Sequence, residues 1–149
     1  MLRKLDPERI GLLREYCLGR FGIGQERLEN YKWYIGSKNR VYIGPDELER
    51  INPESIGICI FRLNRTPKPT TNFLQLFGRY ITKNIIEIKR NEAIEYCNGK
   101  NLEPGPESDV DLGFVAVRYK NRFLGCGHWD GNILKNQIPK SRFCKLGFL

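Results

Sequence analysis

Residues 113–129 constrain this chain more than any other stretch. They read Gly-Phe-Val-Ala-Val-Arg-Tyr, then Lys-Asn-Arg, then Phe-Leu-Gly-Cys-Gly-His-Trp. Two strand-length runs rich in apolar and β-branched residues, separated by three polar ones, predict an antiparallel hairpin, because a parallel pair needs a far longer connection. A second hairpin is expected over 31–44, where aromatic and β-branched residues flank Gly36-Ser37-Lys38-Asn39. Alternation there puts Tyr31, Trp33 and Ile35 on one face, read as core, with Lys32 and Tyr34 on the other.

Helical spacing supplies the other half of the pattern. Asp6 followed by Pro7 opens a helix over 7–20, with Ile10, Leu13, Cys17 and Phe21 on one stripe and Gly22 and Gly24 ending it. Short helices are expected at 45–51, at 72–81 under an Asn72 cap, and at 91–97, the last ended by Asn98-Gly99. SIGICIFRL, 55–63, reads as a buried strand, and IIEIK, 85–89, as another. The prolines of RTPKPT, 65–70, should break regular structure, and 101–109 reads as a loop. Elements arriving in this mixed order give an α+β class, with a boundary near residue 83.

Chemistry is conspicuously thin. His128 is the single histidine, so no His-based triad and no two-His metal site can be built, and a structural role is expected for it. The five cysteines (17, 59, 97, 126 and 144) are far apart and lie among apolar neighbours, so free structural thiols are expected and zinc-finger spacings are excluded. Gly22 and Gly24 lack the rest of a nucleotide fingerprint. The reading is of a protein with no catalytic residues, no metal and no cofactor. No apolar run approaches the roughly 20 residues of a membrane span, and no signal peptide is expected at the N-terminus, so no membrane partner and a cytoplasmic location are expected.

Charge points to a polyanionic partner. The formal net charge is +8, and it is segregated. Residues 118–149 hold seven basic side chains against Asp130 alone, and 62–90 hold seven against Glu87 alone, with the acidic residues Glu103, Glu107, Asp109 and Asp111 between them. Basic faces of this kind attract nucleic acid through long-range fields and counterion release. The segment 124–143 (LGCGHWDGNILKNQIPKSRF) is read as a strand, a turn and an extended tail, since Pro139 bars a helix or a central strand. Its protruding Lys135, Lys140 and Arg142 suit phosphate contacts and Asn136 a sugar or base contact. Arg118, Lys120 and Arg122 extend the patch from the hairpin.

Leu124, Gly125, Gly127, Leu134, Lys135, Asn136, Pro139 and Lys140 together resemble the C-terminal RNA-binding domain of the Nop/Sun-family RNA cytosine-5 methyltransferases. That resemblance implies a PUA-like β-barrel over 84–149. A looser one covers most of the chain: the helix, the aromatic hairpin ending Asn39-Arg40-Val41-Tyr42, the strand with Gly57, then Ile86-Glu87-Ile88-Lys89 and Asn98-Gly99. This order is similar to the Nip-type ribosome assembly factors and implies an α/β pre-PUA-like domain over 1–83. The methyltransferases need a Pro-Cys or Thr-Cys nucleophile, whereas no Cys here follows Pro or Thr. The resemblance therefore implies a non-catalytic binder of rRNA or pre-rRNA in ribosome biogenesis or RNA modification, with a protein partner in ribosome assembly as a further expectation. A protein-interaction adaptor for such a factor is the alternative.

Overall fold

A computed structural model describes residues 2–44, 57–105, 107 and 109–140. The short helix expected at 45–51, together with Arg142 and Cys144, lies outside the described residues. The chain divides into two compact units, Met1–Thr82 and Lys83–Leu149.

The first unit is a five-stranded antiparallel meander, β1 (Arg3–Lys4), β2 (Lys32–Ile35), β3 (Arg40–Gly44), β4 (Ile58–Leu63) and β5 (Pro67–Pro69), each strand beside the next. The expected first hairpin pairs Trp33 with Ile43 and Ile35 with Val41. Its turn works because Lys38 and Asn39 both take left-handed backbone conformations, with φ of 57° and 56°. The expected polar face of β2 is corrected: Tyr34 is as buried as Trp33, so the middle of the strand is covered on both sides. The proline stretch is a second correction. Pro67 and Pro69 do not break the sheet but form its edge strand, where a residue without an N–H costs nothing on the open side.

Helix α1 (Pro7–Phe21) starts as the sequence predicts, with the Asp6 carboxylate accepting the Arg9 N–H at 3.1 Å. It ends at Gly22, whose φ of 71° lets its own N–H and that of Ile23 reach the last-turn carbonyls of Leu18 and Cys17. Leu13, Cys17 and Phe21 face the core, while Ile10 is only half-buried. Helix α2 (Thr71–Phe77) is capped two residues earlier than expected, by the Thr70 hydroxyl accepting the Phe73 N–H, and not by Asn72. Leu74 lies in the core and Leu76 is half-buried. Phe73 is the hub: its ring meets Phe21 at 5.9 Å, Phe61 at 4.8 Å and Phe77 at 5.3 Å between centroids. Offset and tilted aromatic pairs of this kind add to the area they bury.

In the second unit, β6 (Ile85–Glu87) runs parallel to β7 (Gly113–Tyr119), which makes a hairpin with β8 (Arg122–Trp129); β9 (Leu134–Asn136) closes the order antiparallel to β8. The hairpin is the one expected from 113–129, with Lys120 left-handed in its turn. Helix α3 (Arg90–Cys97) connects β6 to β7, and Glu92 caps its start by accepting the Lys89 N–H. Beyond β9, Leu102 bridges to Leu134 through two backbone hydrogen bonds. The described strands form an open four-stranded sheet; no closed barrel is found among them.

One face of that sheet packs on α3. Val115, Val117 and Tyr119 from β7, Leu124 and Trp129 from β8 and Leu134 from β9 meet Ala93, Tyr96 and Cys97. Tyr96 is fully buried, and its hydroxyl donates a 2.6 Å hydrogen bond to the Cys126 carbonyl. Gly127 makes this approach possible. A Cβ there would stand 2.5 Å from Leu134 Cδ1, 2.8 Å from the Tyr96 hydroxyl and 3.2 Å from Val117 Cγ2. The second glycine of the Leu-Gly-x-Gly pattern is thus a packing residue. Gly127→Ala should cost about 1–3 kcal/mol, as overpacking usually does, read as a lower urea midpoint with an unchanged slope.

The thiols of Cys17, Cys59, Cys97 and Cys126 are free. Burial pushes Cys17 up to about 12. An unfolded thiol releases its proton near 9.0, so between there and about 12 the native state alone keeps it. Stability from this group is therefore intact below pH 9 and lost as pH rises through that window. Over the window, Cys17→Ala should lose stability less steeply than the parent, by about 1.4 kcal/mol per pH unit for the one proton, measured by denaturation at fixed pH values.

Candidate nucleic-acid interface

The other face of the second sheet follows from strand alternation. Val115, Val117 and Tyr119 point to α3, so Phe114, Ala116 and Arg118 point away. Directly opposed residues share a face, and Phe114, His128 and Lys135 form one row across β7, β8 and β9. The Phe114 and His128 rings meet edge to face, with centroids 5.2 Å apart. Lys135 is mostly exposed at the end of that row. At the far end of the sheet a bulge between Val117 and Arg118 sets Arg118 opposite Phe123, and its guanidinium lies over that ring at 5.5 Å while also pairing with Glu87. This outer face thus carries two half-buried aromatics, a histidine and two cations.

The Asp130-Gly131 turn holds the row's basic end. Asp130 Oδ1 accepts the N–H groups of Asn132 at 2.9 Å and Ile133 at 2.7 Å, and its other oxygen lies 3.9 Å from Lys135 Nζ. The backbone donors of Ile133 and then Asn132 hold its carboxyl below the usual range, with smaller help from Lys135 and His128. The Lys135–Asp130 pair is long and solvent-exposed, the kind that contributes little to stability. A phosphate can compete for this lysine at small cost.

The seven residues expected to form one patch are divided by the fold. Lys135 and Arg118 share the outer face. Lys120 sits at the hairpin tip, its ammonium 5.4 Å from the centroid of the Tyr119 ring. Arg122 opposes Tyr119 and so lies at the margin of the inner face, exposed. Lys140 is exposed beyond the buried Ile138, and Arg142 is outside the described residues. Asn136 opposes Gly127 and points toward α3. Its amide nitrogen donates to the carbonyls of Tyr96 at 2.7 Å and Lys100 at 3.0 Å, and its side-chain oxygen accepts the Ile138 N–H at 2.8 Å. These bonds tie β9 to the end of α3, so the side chain expected to touch a sugar or base is committed to the fold. The sequence assigns His128 a structural role and gives Phe114 no role beyond its strand. Counting alternation outward from Trp129 places His128 beside Lys135.

Among the described residues no cluster of three or more His, Cys, Asp or Glu could hold a metal ion. No helix among them is long and apolar enough to cross a membrane.

Residues 83–143 match the family described as the Methyltransferase RsmF PUA domain. The second unit carries a PUA-like domain related to those of the Nop/Sun methyltransferases. Similar proteins include the Ribosomal RNA small subunit methyltransferase F of Aeromonas salmonicida, 31% identical over 64 residues, which are 43% of this chain and 13% of that protein. The protein of the same name from Aeromonas hydrophila is 24% identical over 111 residues, 71% of this chain and 23% of its own length. That stretch is longer than the second unit, so the likeness reaches into the first. The Vibrio cholerae protein of that name is 34% identical over 55 residues, 37% of this chain and 11% of it. The chain therefore spans less than a quarter of the length of these relatives.

Within the PUA-like unit, position 136 and position 135 should respond unequally to truncation. Asn136→Ala removes its bonds to the Tyr96 and Lys100 carbonyls and leaves the Ile138 N–H without its acceptor, and should destabilise the protein by about 1–3 kcal/mol. Lys135→Ala should change stability by less than about 0.5 kcal/mol. Urea denaturation of the two variants distinguishes them, and equal effects would contradict the assignment.

Proposed function

We propose that this chain is a non-catalytic RNA-binding protein that engages rRNA or its precursor during ribosome biogenesis or RNA modification, in a pre-PUA-plus-PUA arrangement like the Nip-type assembly factors. The observation that carries the reading is the PUA-like unit, matched over 83–143 by a methyltransferase PUA domain and similar to proteins named for ribosomal RNA methylation. Its outer sheet face supports it, because half-buried rings beside the exposed Lys135 and the half-buried Arg118 suit base stacking next to phosphate contacts. The non-catalytic part rests on the side-chain inventory: one histidine, and no cysteine after proline or threonine. Lys135, Lys140 and Arg142 hold phosphates in this reading, with Arg118, Lys120 and Arg122 adding to the positive field. Cytoplasmic location is part of the same proposal.

The test is binding of an rRNA fragment across a salt series. Replacing Lys135, Lys140 and Arg142 together with Ala should flatten the dependence of log affinity on log salt by about two units, at about 0.7–0.9 per lost phosphate contact. The melting temperature should hold, since isolated surface charges rarely matter by more than about 0.5 kcal/mol. Unchanged affinity and slope would move the adaptor reading ahead.

A further inference from the structure

A second basic, aromatic site lies in the first unit, among residues given no binding role above. Two 3₁₀ turns far apart in sequence, Gln25–Arg27 and Gly78–Tyr80, come together there. They line a cavity of about 200 Å³ with Asn30, Tyr31, Leu76 and Phe77. Both turns' arginines lie over the Tyr80 ring: the Arg27 guanidinium carbon is 4.3 Å from its centroid and that of Arg79 is 4.8 Å. Those distances put the two guanidinium carbons at most about 9 Å apart, within about one screening length at physiological salt. Neither makes an ion pair among the described residues. The one carboxylate at the cavity, Glu26, is folded back on Gly24, where an added Cβ would meet its oxygen at 2.3 Å.

Two mutually repelling cations held on one ring are stabilised when an anion arrives between or beside them. The inner wall is aromatic and apolar: Tyr31 packs edge-on against Phe77, with centroids 5.8 Å apart, and stays half-buried. Asn30 offers both a donor and an acceptor at the rim. A cavity of this size falls below the roughly 300–1,000 Å³ of ordinary small-molecule sites, which favours one group of a longer chain over a free metabolite.

We infer that this cleft takes one unpaired nucleotide of a single-stranded RNA segment, its phosphate held by Arg27 and Arg79 and its base against the Tyr31 wall. Unpaired bases are what such clefts can admit, since paired ones are stacked inside a duplex. Aromatic walls beside cations distinguish this site from one for an acidic peptide, which needs only the charges. The inference rests on the RNA-binding reading and extends it to the first unit.

The experiment uses the full chain and a fluorescein-labelled oligouridylate, followed by anisotropy across a salt series. Arg27→Gln with Arg79→Gln should weaken binding at least tenfold and lower the salt slope by about 1.4, two contacts at about 0.7 each for a single strand. The Arg27→Lys, Arg79→Lys pair should restore the slope. Photocrosslinking of 4-thiouridine RNA to the unaltered protein should map to the peptides holding Tyr31 or Tyr80; this arm stands even if a variant fails to fold. Normal binding by the Gln pair, with weakened binding by Lys135→Ala, Lys140→Ala, overturns this site and leaves the PUA-like reading in place. The reverse pattern supports this site and removes the other. Crosslinks confined to the second unit also overturn it, as does polyglutamate competing as well as RNA. An unaltered protein that binds no RNA sinks both.

Discussion

The second unit depends on the contact between the Tyr96 hydroxyl and the Cys126 carbonyl over the bare backbone of Gly127. A fully buried hydroxyl must find an acceptor, and a β-sheet carbonyl already serving the ladder has a second lone pair to offer. The bond pins α3 at a fixed height above β8. Asn136 then ties β9 to the end of the same helix, and Leu102 pairs with Leu134 outside it. With one face so occupied, alternation assigns every other residue to the opposite side. The outer row of Phe114, His128 and Lys135 is a consequence of what the inner face requires.

The first unit is organised by rings instead of a polar bond. Phe73 draws Phe21, Phe61 and Phe77 together, and the chain leaves that cluster through two tight turns whose arginines converge on Tyr80. Each unit thus pairs an aromatic element with cations, by unrelated means. In the PUA-like unit the cations protrude from a sheet; in the first they line a small concave site. In the proposed reading, RNA is held in two ways, by phosphates along a surface and by a single nucleotide in a cleft.

Local pattern determined much of this. The hairpins at 31–44 and 113–129, the Asp6-Pro7 start and Gly22 end of α1, and the Asn98-Gly99 stop of α3 depend on neighbours within a few residues, so they could be read from the sequence. The PUA-like resemblance of 124–143 could be read there too, because its glycines and apolar residues answer to one tight packing arrangement. What the pattern could not settle were matters of partners distant in the chain. Tyr34 is buried because β2 is covered on both sides, and Pro67 and Pro69 join a strand because β4 offers an edge. Asn136 faces α3 because Gly127 opposes it. The convergence of Arg27 and Arg79 on one ring is decided wholly by tertiary structure, since over fifty residues separate them and neither turn carries a local signal of the other.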